Sequence, residues 1–211
     1  MGYQAKTIKA GFSLNTATFV DVGQNNMNLQ NFKLGTGAAG DGTEVIQFLD
    51  SEGQNTQTWT WLNSNSGMDD GWYDFNTWEA VSTSMMPGVG YLMNVSADVE
   101  MLVSGQVNGS KTTVTIPSGF SIYGNNTPSD IDLQSIKLGA NAAGDGTEVI
   151  QFIDAEGQNT QTWTWLNANS GMDDGWYDFN TWEPINYTVK AGEAFLLNVT
   201  ADVVMEIPAA L

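Results

Sequence analysis

Residues 34–79 read LGTGAAGDGTEVIQFLDSEGQNTQTWTWLNSNSGMDDGWYDFNTWE, and residues 138–183 read LGANAAGDGTEVIQFIDAEGQNTQTWTWLNANSGMDDGWYDFNTWE. The two segments differ at five of their 46 positions, which leaves 41 identities. The five differences are mild: Thr36/Ala140, Gly37/Asn141, Leu49/Ile153, Ser51/Ala155 and Ser64/Ala168. This self-similarity at a fixed offset indicates two copies of one structural unit.

Weaker similarity continues on both sides of this shared block. Thr7 to Ser13 corresponds to Thr115 to Ser121, and Pro87 to Val95 corresponds to Ala191 to Val199. Each copy therefore extends over about half of the 211 residues, a size that can bury its own core. The sequence predicts two domains, 1–108 and 109–211, which are called repeat one and repeat two below.

The local patterns favour β-strands throughout. Val45 to Leu49 and Thr56 to Leu62 are rich in β-branched and aromatic residues, and the polar segment between them is typical of a hairpin loop. The same pattern continues at Tyr91 to Val95, Val99 to Val103 and Thr112 to Ile116, and only Asn28 to Lys33 could form a helical turn. The predicted fold class is all-β, with two tandem homologous β-sandwich or barrel-like domains.

No linker separates the repeats. Val99 to Val107 runs into Asn108-Gly109-Ser110, whose Asn-Gly pair is a strong hairpin signal, and then into Lys111 to Ile116. We therefore expect the last strand of repeat one to pair with the first strand of repeat two. The two domains would then form a rigid rod.

The charge balance limits the classes of partner. The chain has 24 Asp and Glu against six Lys, no Arg and no His, so its net charge is −18. Phosphate contacts depend mainly on Lys and Arg, which excludes nucleic acid and anionic membrane surfaces as partners. The acids either keep the protein soluble or attract divalent cations, and the composition leaves both readings open.

The start of the chain and its apolar runs bear on location. No apolar run approaches the roughly 20 residues of a membrane span, so no membrane insertion is expected. Met1 to Lys9 lacks the apolar region of a signal peptide. The chain is therefore either cytoplasmic or a mature form whose signal peptide has been removed. We favour the second and expect an extracellular or cell-surface protein.

All eight Trp residues fall inside the two copies of the shared block. Trp59 and Trp61 alternate with Thr and Leu in a predicted strand, so their side chains belong either to the core or to a surface. The stretch Gly67 to Glu79 looks like a polar loop, and its aromatic residues are therefore predicted to form a binding surface. The predicted surface residues are Trp72, Tyr73, Trp78 and Glu79, with Trp176, Tyr177, Trp182 and Glu183 in repeat two.

Acidic residues in two loops of each repeat are candidate calcium ligands, because calcium takes six to eight oxygen ligands. These candidates are Asp41, Glu44, Asp69, Asp70 and Asp74, with Asp145, Glu148, Asp173, Asp174 and Asp178 in repeat two. Their spacing does not match an EF-hand loop, and solvated turn acids are the alternative. The only cofactor that the sequence predicts is calcium.

Catalysis is not expected. Without His or Cys, only paired carboxylates or an unsupported Ser or Lys nucleophile would remain. The framework of the repeats, Ala-Gly-Phe-Ser at residues 10–13 and Pro-Gly-x-Gly-Tyr-Leu at residues 87–92, resembles a set of secreted bacterial proteins built from similar β repeats of unknown role. That resemblance implies export and a non-enzymatic character, and it carries no site residues.

Two functions follow from these patterns. The first is a structural protein that assembles head to tail into a fibre, sheath or layer, with Val203 to Ile207 of one molecule meeting Tyr3 to Ile8 of the next and the Trp-rich surface adding contacts. The second is a tandem carbohydrate-binding module, because aromatic rings stack on sugar faces while carboxylates and amides bond the hydroxyls. The sequence favours the first, so the expected partners are other copies of this chain and, as the alternative, a polysaccharide.

Overall fold

The computed structural model describes residues 2–21, 27–139 and 141–209. The chain is all-β, as expected, with small antiparallel sheets in a four-blade, propeller-like arrangement. Four single turns of 3-10 helix interrupt the strands, at Leu29–Asn31, Ser64–Ser66, Leu133–Ser135 and Ala168–Ser170. The first of these turns lies inside the predicted helical segment Asn28 to Lys33. In the described ranges, no helix has the length and apolar character needed to cross a membrane.

Within the ranges that the structure describes, each repeat contributes ten strands. Those of repeat one are β1 (Gly2–Ile8), β2 (Gly11–Thr16), β3 (Met27–Asn28), β4 (Phe32–Leu34), β5 (Asp41–Leu49), β6 (Asn55–Leu62), β7 (Gly71–Asp74), β8 (Ser84–Met85), β9 (Gly90–Val95) and β10 (Val99–Gly105). Those of repeat two are β11 (Thr112–Ile116), β12 (Gly119–Gly124), β13 (Ile131–Asp132), β14 (Lys137–Leu138), β15 (Asp145–Ile153), β16 (Asn159–Leu166), β17 (Gly175–Asp178), β18 (Thr188–Val189), β19 (Ala194–Val199) and β20 (Val203–Ile207).

The strands form the same three sheets in each repeat. Repeat one has a five-stranded sheet in the order β2-β9-β5-β6-β7, a three-stranded sheet β1-β10-β4 and a two-stranded sheet β3-β8. Repeat two has β12-β19-β15-β16-β17, β11-β20-β14 and β13-β18. Every sheet is thus built from strands of a single repeat.

Alternating side chains explain where the core lies. In β10, Val99, Met101 and Val103 are buried while the residues between them are partly or fully exposed, as expected for a strand with one face on a core. They join a buried cluster whose members all fall between residues 8 and 103. A second cluster of buried residues lies between residues 114 and 207.

The predicted pairing of the last strand of repeat one with the first strand of repeat two is wrong. β10 is the central strand of its sheet, so β1 and β4 occupy both of its edges, and β11 pairs with β20 instead. The segment between them turns at Asn108, whose side chain accepts a hydrogen bond from Ser110 N and donates one to Thr112 Oγ1. The turn at Asn108 therefore joins two strands, β10 and β11, that do not pair with each other as a hairpin.

The repeats contact each other through matched hydrogen bonds related by an approximate two-fold axis. Phe12 N donates to Ala155 O at 2.8 Å, and the corresponding Phe120 N donates to Ser51 O at 2.8 Å. The adjoining glycines, Gly11 and Gly119, both have φ of +99°. A Cβ atom at either position would lie 2.2–2.3 Å from the facing carbonyl oxygen, which explains why these contacts require glycine.

An apolar layer fills the space between the two five-stranded sheets. It contains Leu14, Ile122 and Ala194, which are buried, with half-buried Leu49, Leu92, Ile153 and Leu196 packed around them. The repeats therefore pack face to face, and the predicted end-to-end rod is wrong.

The terminal strands are also used within their own repeats. β1 pairs with β10 along seven residues, from Gly2 to Ile8. β20 lies between β11 and β14, so both of its edges are occupied. One edge of the C-terminal strand is therefore fully paired and the other is partly paired within its own repeat, which leaves little of this strand to pair with the N-terminal strand of another molecule.

Candidate binding site

Six of the eight Trp side chains are core residues. The four Trp residues of the long strands are buried and therefore belong to the core and not to a surface: Trp59, Trp61, Trp163 and Trp165. Trp72 and Trp176 are 0% exposed, and their Nε1 atoms donate to the carbonyl oxygens of Phe32 and Ile136 at 2.8 and 2.9 Å. The prediction that Trp72 and Trp176 belong to a binding surface is wrong.

Tyr73 and Tyr177 are buried as well, so their assignment to the surface is also wrong. Both lie in short strands, β7 and β17, that pair with β6 and β16. Their hydroxyls donate to the carbonyl oxygens of Asp69 and Asp173 at 3.0 and 3.1 Å. The two tyrosines therefore fasten the preceding loop to the sheet.

Trp78 and Trp182 lie at the surface, with 52% and 49% of each residue exposed. Each has a second exposed aromatic residue beside it, Phe75 in repeat one and Phe179 in repeat two. The ring centroids are 6.1 Å apart in repeat one and 5.6 Å apart in repeat two, with the rings inclined at 37° and 43°. The predicted surface residues do not include these two Phe residues, although Phe75 lies in the stretch Gly67 to Glu79 whose aromatic residues are predicted to form a binding surface.

A network of backbone hydrogen bonds holds each aromatic pair. The Asp74 carboxylate accepts from Asn76 N at 2.8 Å and from Thr77 N at 3.0 Å, and Trp78 N donates to Asp74 O at 2.9 Å. Asp74 N donates to Glu79 O at 2.9 Å, which closes the turn. Repeat two has the same bonds around Asp178.

The backbone of the turn is strained at the exposed Trp. Trp78 and Trp182 both have φ of +60°, and no other non-glycine residue in the described ranges has a positive φ. A bulky side chain rarely adopts this left-handed conformation, whose cost is about 1–3 kcal/mol. Such strain is concentrated at functional sites. Here the left-handed backbone directs an aromatic side chain toward solvent in both repeats.

The polar groups beside the rings are accessible. Asn76, Thr77 and Glu79 are exposed, and so are their counterparts Asn180, Thr181 and Glu183. Each turn thus offers two aromatic rings together with an amide, a hydroxyl and a carboxylate. We call these two surfaces, residues 74–79 and 178–183, the aromatic turns.

The predicted calcium ligands have other roles in the structure. Glu44 and Glu148 are buried, and their carboxylates accept from the backbone N–H groups of Ala39 and Gly40, or of Ala143 and Gly144. Because both oxygens of each carboxylate are bonded to the loop that they close, assigning Glu44 and Glu148 as metal ligands was wrong.

The remaining acids are not gathered into a cation site. Asp41 accepts from the backbone and hydroxyl of Thr43, and these bonds lower the pKa of the Asp41 carboxyl; Asp145 and Thr147 repeat the arrangement. Asp69, Asp70, Asp173 and Asp174 are exposed, and the carboxylates of Asp74 and Asp178 are engaged in the aromatic turns. Within the described part of the chain, no three acidic residues come close enough to hold a metal ion.

Comparisons with protein-family models, with curated proteins and with solved structures found no match to this chain.

Proposed function

We propose that this protein is a non-catalytic, extracellular module that binds a neutral polysaccharide through its two aromatic turns. The observation that carries the proposal is the pair of exposed rings, Phe75 with Trp78 and Phe179 with Trp182, held the same way in both repeats on a strained backbone. Selection on the fold alone would favour glycine at a left-handed position. A large aromatic residue there, present twice, is better explained by what the ring contacts.

The chemistry of the aromatic turns suits a sugar. Aromatic faces pack against the C–H faces of a pyranose ring, while amides, hydroxyls and carboxylates hydrogen-bond its hydroxyl groups. The turn is fixed by its own hydrogen bonds before any ligand arrives, so less ordering entropy is lost on binding. The net charge of −18 repels acidic polymers, which favours a neutral glycan.

The presence of two copies of the site makes each molecule divalent. One molecule can therefore bind two segments of polysaccharide, one at each aromatic turn. We propose further that the repeats are two domains of the sandwich or barrel type, because each has its own buried cluster and its own sheets.

Calcium binding remains a prediction. A rise in the melting temperature of the protein on addition of calcium would support this prediction.

Self-assembly is the competing function. The pairing of β1 and β20 within their own repeats no longer favours assembly through the terminal strands. The exposed rings could still join one molecule to another, because aromatic residues are common at protein interfaces. Sedimentation velocity in the absence of glycan separates the two functions. A glycan-binding module remains monomeric, whereas an assembling protein forms larger species that Trp78→Ala disrupts.

Affinity electrophoresis through gels that contain neutral polysaccharides tests the proposal. The native protein is expected to be retarded in at least one gel, and the double variant Trp78→Ala, Trp182→Ala is expected to migrate freely. Tyr3→Ala is the matched control, because Tyr3 is an exposed aromatic residue, 78% exposed, that lies outside the aromatic turns. Unretarded migration of the native protein in every gel would overturn the proposal.

A further inference from the structure

Each five-stranded sheet has one face on the core of its repeat and one face turned away from that core. Across the second face of repeat one, directly opposed residues of neighbouring strands form the row Leu14, Leu92, Gln47 and Thr58. Phe75 continues the row, since Phe75 N donates to Thr58 O at 3.4 Å. Side chains that are directly opposed in an antiparallel pair lie on the same face. The row therefore leads from the contact between the repeats to the aromatic turn.

The buried side chains beside this row point the other way. Ile46 pairs with Met93 and with Trp59, and all three belong to the buried cluster of repeat one. Alternation along the strands puts their neighbours Gln47 and Thr58 on the opposite face, where both are half-buried. Repeat two has the same row, through Ile122, Leu196, Gln151 and Thr162.

The polar side chains in the row have groups left to bond. Within the described ranges, the Gln47 amide makes no hydrogen bond, and neither does the half-buried Asn94 amide on the next strand. Thr58 Oγ1 accepts from Asn55 Nδ2 at 2.7 Å, which leaves the hydroxyl hydrogen of Thr58 free to donate. We call this set of residues the amide strip. Its members are Gln47, Thr58 and Asn94 in repeat one and Gln151, Thr162 and Asn198 in repeat two.

The amide strip is uncharged in a strongly acidic protein. The chain has 24 Asp and Glu residues, and none of them occupies the row between the contact of the repeats and the aromatic turn. The three residues of the strip are the same in both repeats. Because amides both donate and accept hydrogen bonds, this surface suits a neutral ligand that is rich in hydroxyl groups.

The amide strip is within reach of a ligand on the aromatic turn. The main contacts with repeat two come from β2, β9 and β5, so β6 and β7 extend beyond them. With strands about 4.8 Å apart, Gln47 on β5 lies roughly 10 Å from Phe75 on β7. A chain of sugars that stacks on Phe75 and runs across the strands therefore passes Thr58 and reaches Gln47.

We infer that the amide strip is the second part of each glycan site, so that the site takes an oligosaccharide longer than a disaccharide. The inference rests on the proposed function, because it needs a sugar on the aromatic turn. The exposed rings hold one end of the oligosaccharide by stacking. The Thr58 hydroxyl and the Gln47 amide hydrogen-bond the sugars that follow, and they select chains whose hydroxyl groups meet them.

The length of the ligand determines which part of the site it uses. A disaccharide on the aromatic turn does not extend to Gln47, whereas a hexasaccharide does. Removing the Gln47 amide should therefore weaken the binding of the hexasaccharide alone. The loss expected for one hydrogen bond is about fivefold in affinity.

Calorimetry on the full chain tests the inference with cellobiose and cellohexaose, laminaribiose and laminarihexaose, and mannobiose and mannohexaose. In the double variant Gln47→Ala, Gln151→Ala, the affinity for the hexasaccharide that the native protein binds should fall about fivefold, while the affinity for its disaccharide stays the same. Gln57→Ala, Gln161→Ala is the matched control, because these exposed glutamines of β6 and β16 point to the opposite face. The control should bind both sugars like the native protein.

The outcomes separate this inference from the proposed function. If the Gln47→Ala, Gln151→Ala variant binds the hexasaccharide as tightly as the native protein does, the inference is wrong, and binding at the aromatic turns stands. A native protein that binds none of the six sugars would overturn both.

Side-chain amide resonances give a second readout on the native protein. The NMR signals of the Gln47 amide, identified by their absence in folded Gln47→Ala, should shift when the hexasaccharide is added and stay in place when the disaccharide is added. The signals of the Gln57 amide should not respond to either sugar. Signals of Gln47 that stay in place while the hexasaccharide is bound would also contradict the inference.

Discussion

At Trp78 and Trp182, the fold requires the left-handed backbone conformation but does not require the exposed aromatic side chain. A left-handed residue is needed there because Asp74 and Glu79 close the turn by hydrogen bonds, but nothing in the turn requires an indole ring. Glycine would adopt the same conformation without steric cost. The two Trp residues thus lower the stability of the fold and place an aromatic ring at the surface of each repeat.

Replacing Trp78 by glycine and by alanine separates the loss of the aromatic ring from the relief of backbone strain. Both variants lose the ring, but only glycine relieves the left-handed strain, so Trp78→Gly is expected to be about 1 kcal/mol more stable than Trp78→Ala. Urea unfolding measures the difference. Both variants should bind glycan with the same reduced affinity, and an alanine variant as stable as the glycine variant would show that the turn is not strained.

Lys6 gives stability a dependence on pH. An unfolded lysine has a pKa of about 10.4, and burial lowers the pKa of Lys6 in the folded chain to about 8. Between these values the unfolded chain binds more protons, so the contribution of Lys6 to the free energy of unfolding rises with pH. Well below pH 8 both states are protonated, and the contribution is constant.

Urea unfolding at pH 7.5 and pH 9.5 measures this dependence. The native protein should gain more stability over this interval than Lys6→Met does. Lys9→Met is the control at an exposed lysine, since the side chain of Lys9 is 76% exposed. Parallel curves for the native protein and Lys6→Met would contradict the lowered pKa.

At the scale of elements, the strands that sequence analysis placed correctly are those with clear β-branched and aromatic patterns. The predicted Thr56 to Leu62 lies in β6, and the predicted Tyr91 to Val95 lies in β9. β7 was missed because Gly71–Asp74 is short and is flanked by Gly and Asp, which are typical of loops. Trp72 and Tyr73 were consequently placed on the surface.

Strand pairing was harder to predict than strand position. The Asn-Gly signal at residue 108 favours a hairpin, but both edges of β10 are occupied by β1 and β4 from its own repeat. These partners lie far away in the sequence, and no local pattern specifies them. The contact between the repeats was missed for the same reason, since it depends on glycines and leucines that also suit ordinary strands and turns.

At the scale of the whole molecule, the approximate two-fold axis separates the aromatic turns. Each turn follows β7 or β17, the edge strand farthest from β2 or β12, and β2 and β12 take part in the contact between repeats. Five strands span roughly 19 Å from the first to the last at about 4.8 Å per step. Each aromatic turn therefore lies at the edge of its sheet that is away from the contact between the repeats.

This separation predicts that the protein links different polysaccharide chains. The native protein should raise the viscosity of a solution of the glycan that it binds. Trp78→Ala should still bind that glycan through Phe179 and Trp182 without raising the viscosity. Equal viscosity with the native protein and the single-site variant would indicate that both sites bind one chain.

Counting the binding sites by calorimetry tests the central claim most directly. With a short oligosaccharide of the glycan that retards the protein, the native chain should bind two molecules, and Trp78→Ala and Trp182→Ala should each bind one. The double variant should bind none while unfolding as cooperatively as the native chain. Two bound molecules in the double variant would contradict the claim that the aromatic turns are the binding sites.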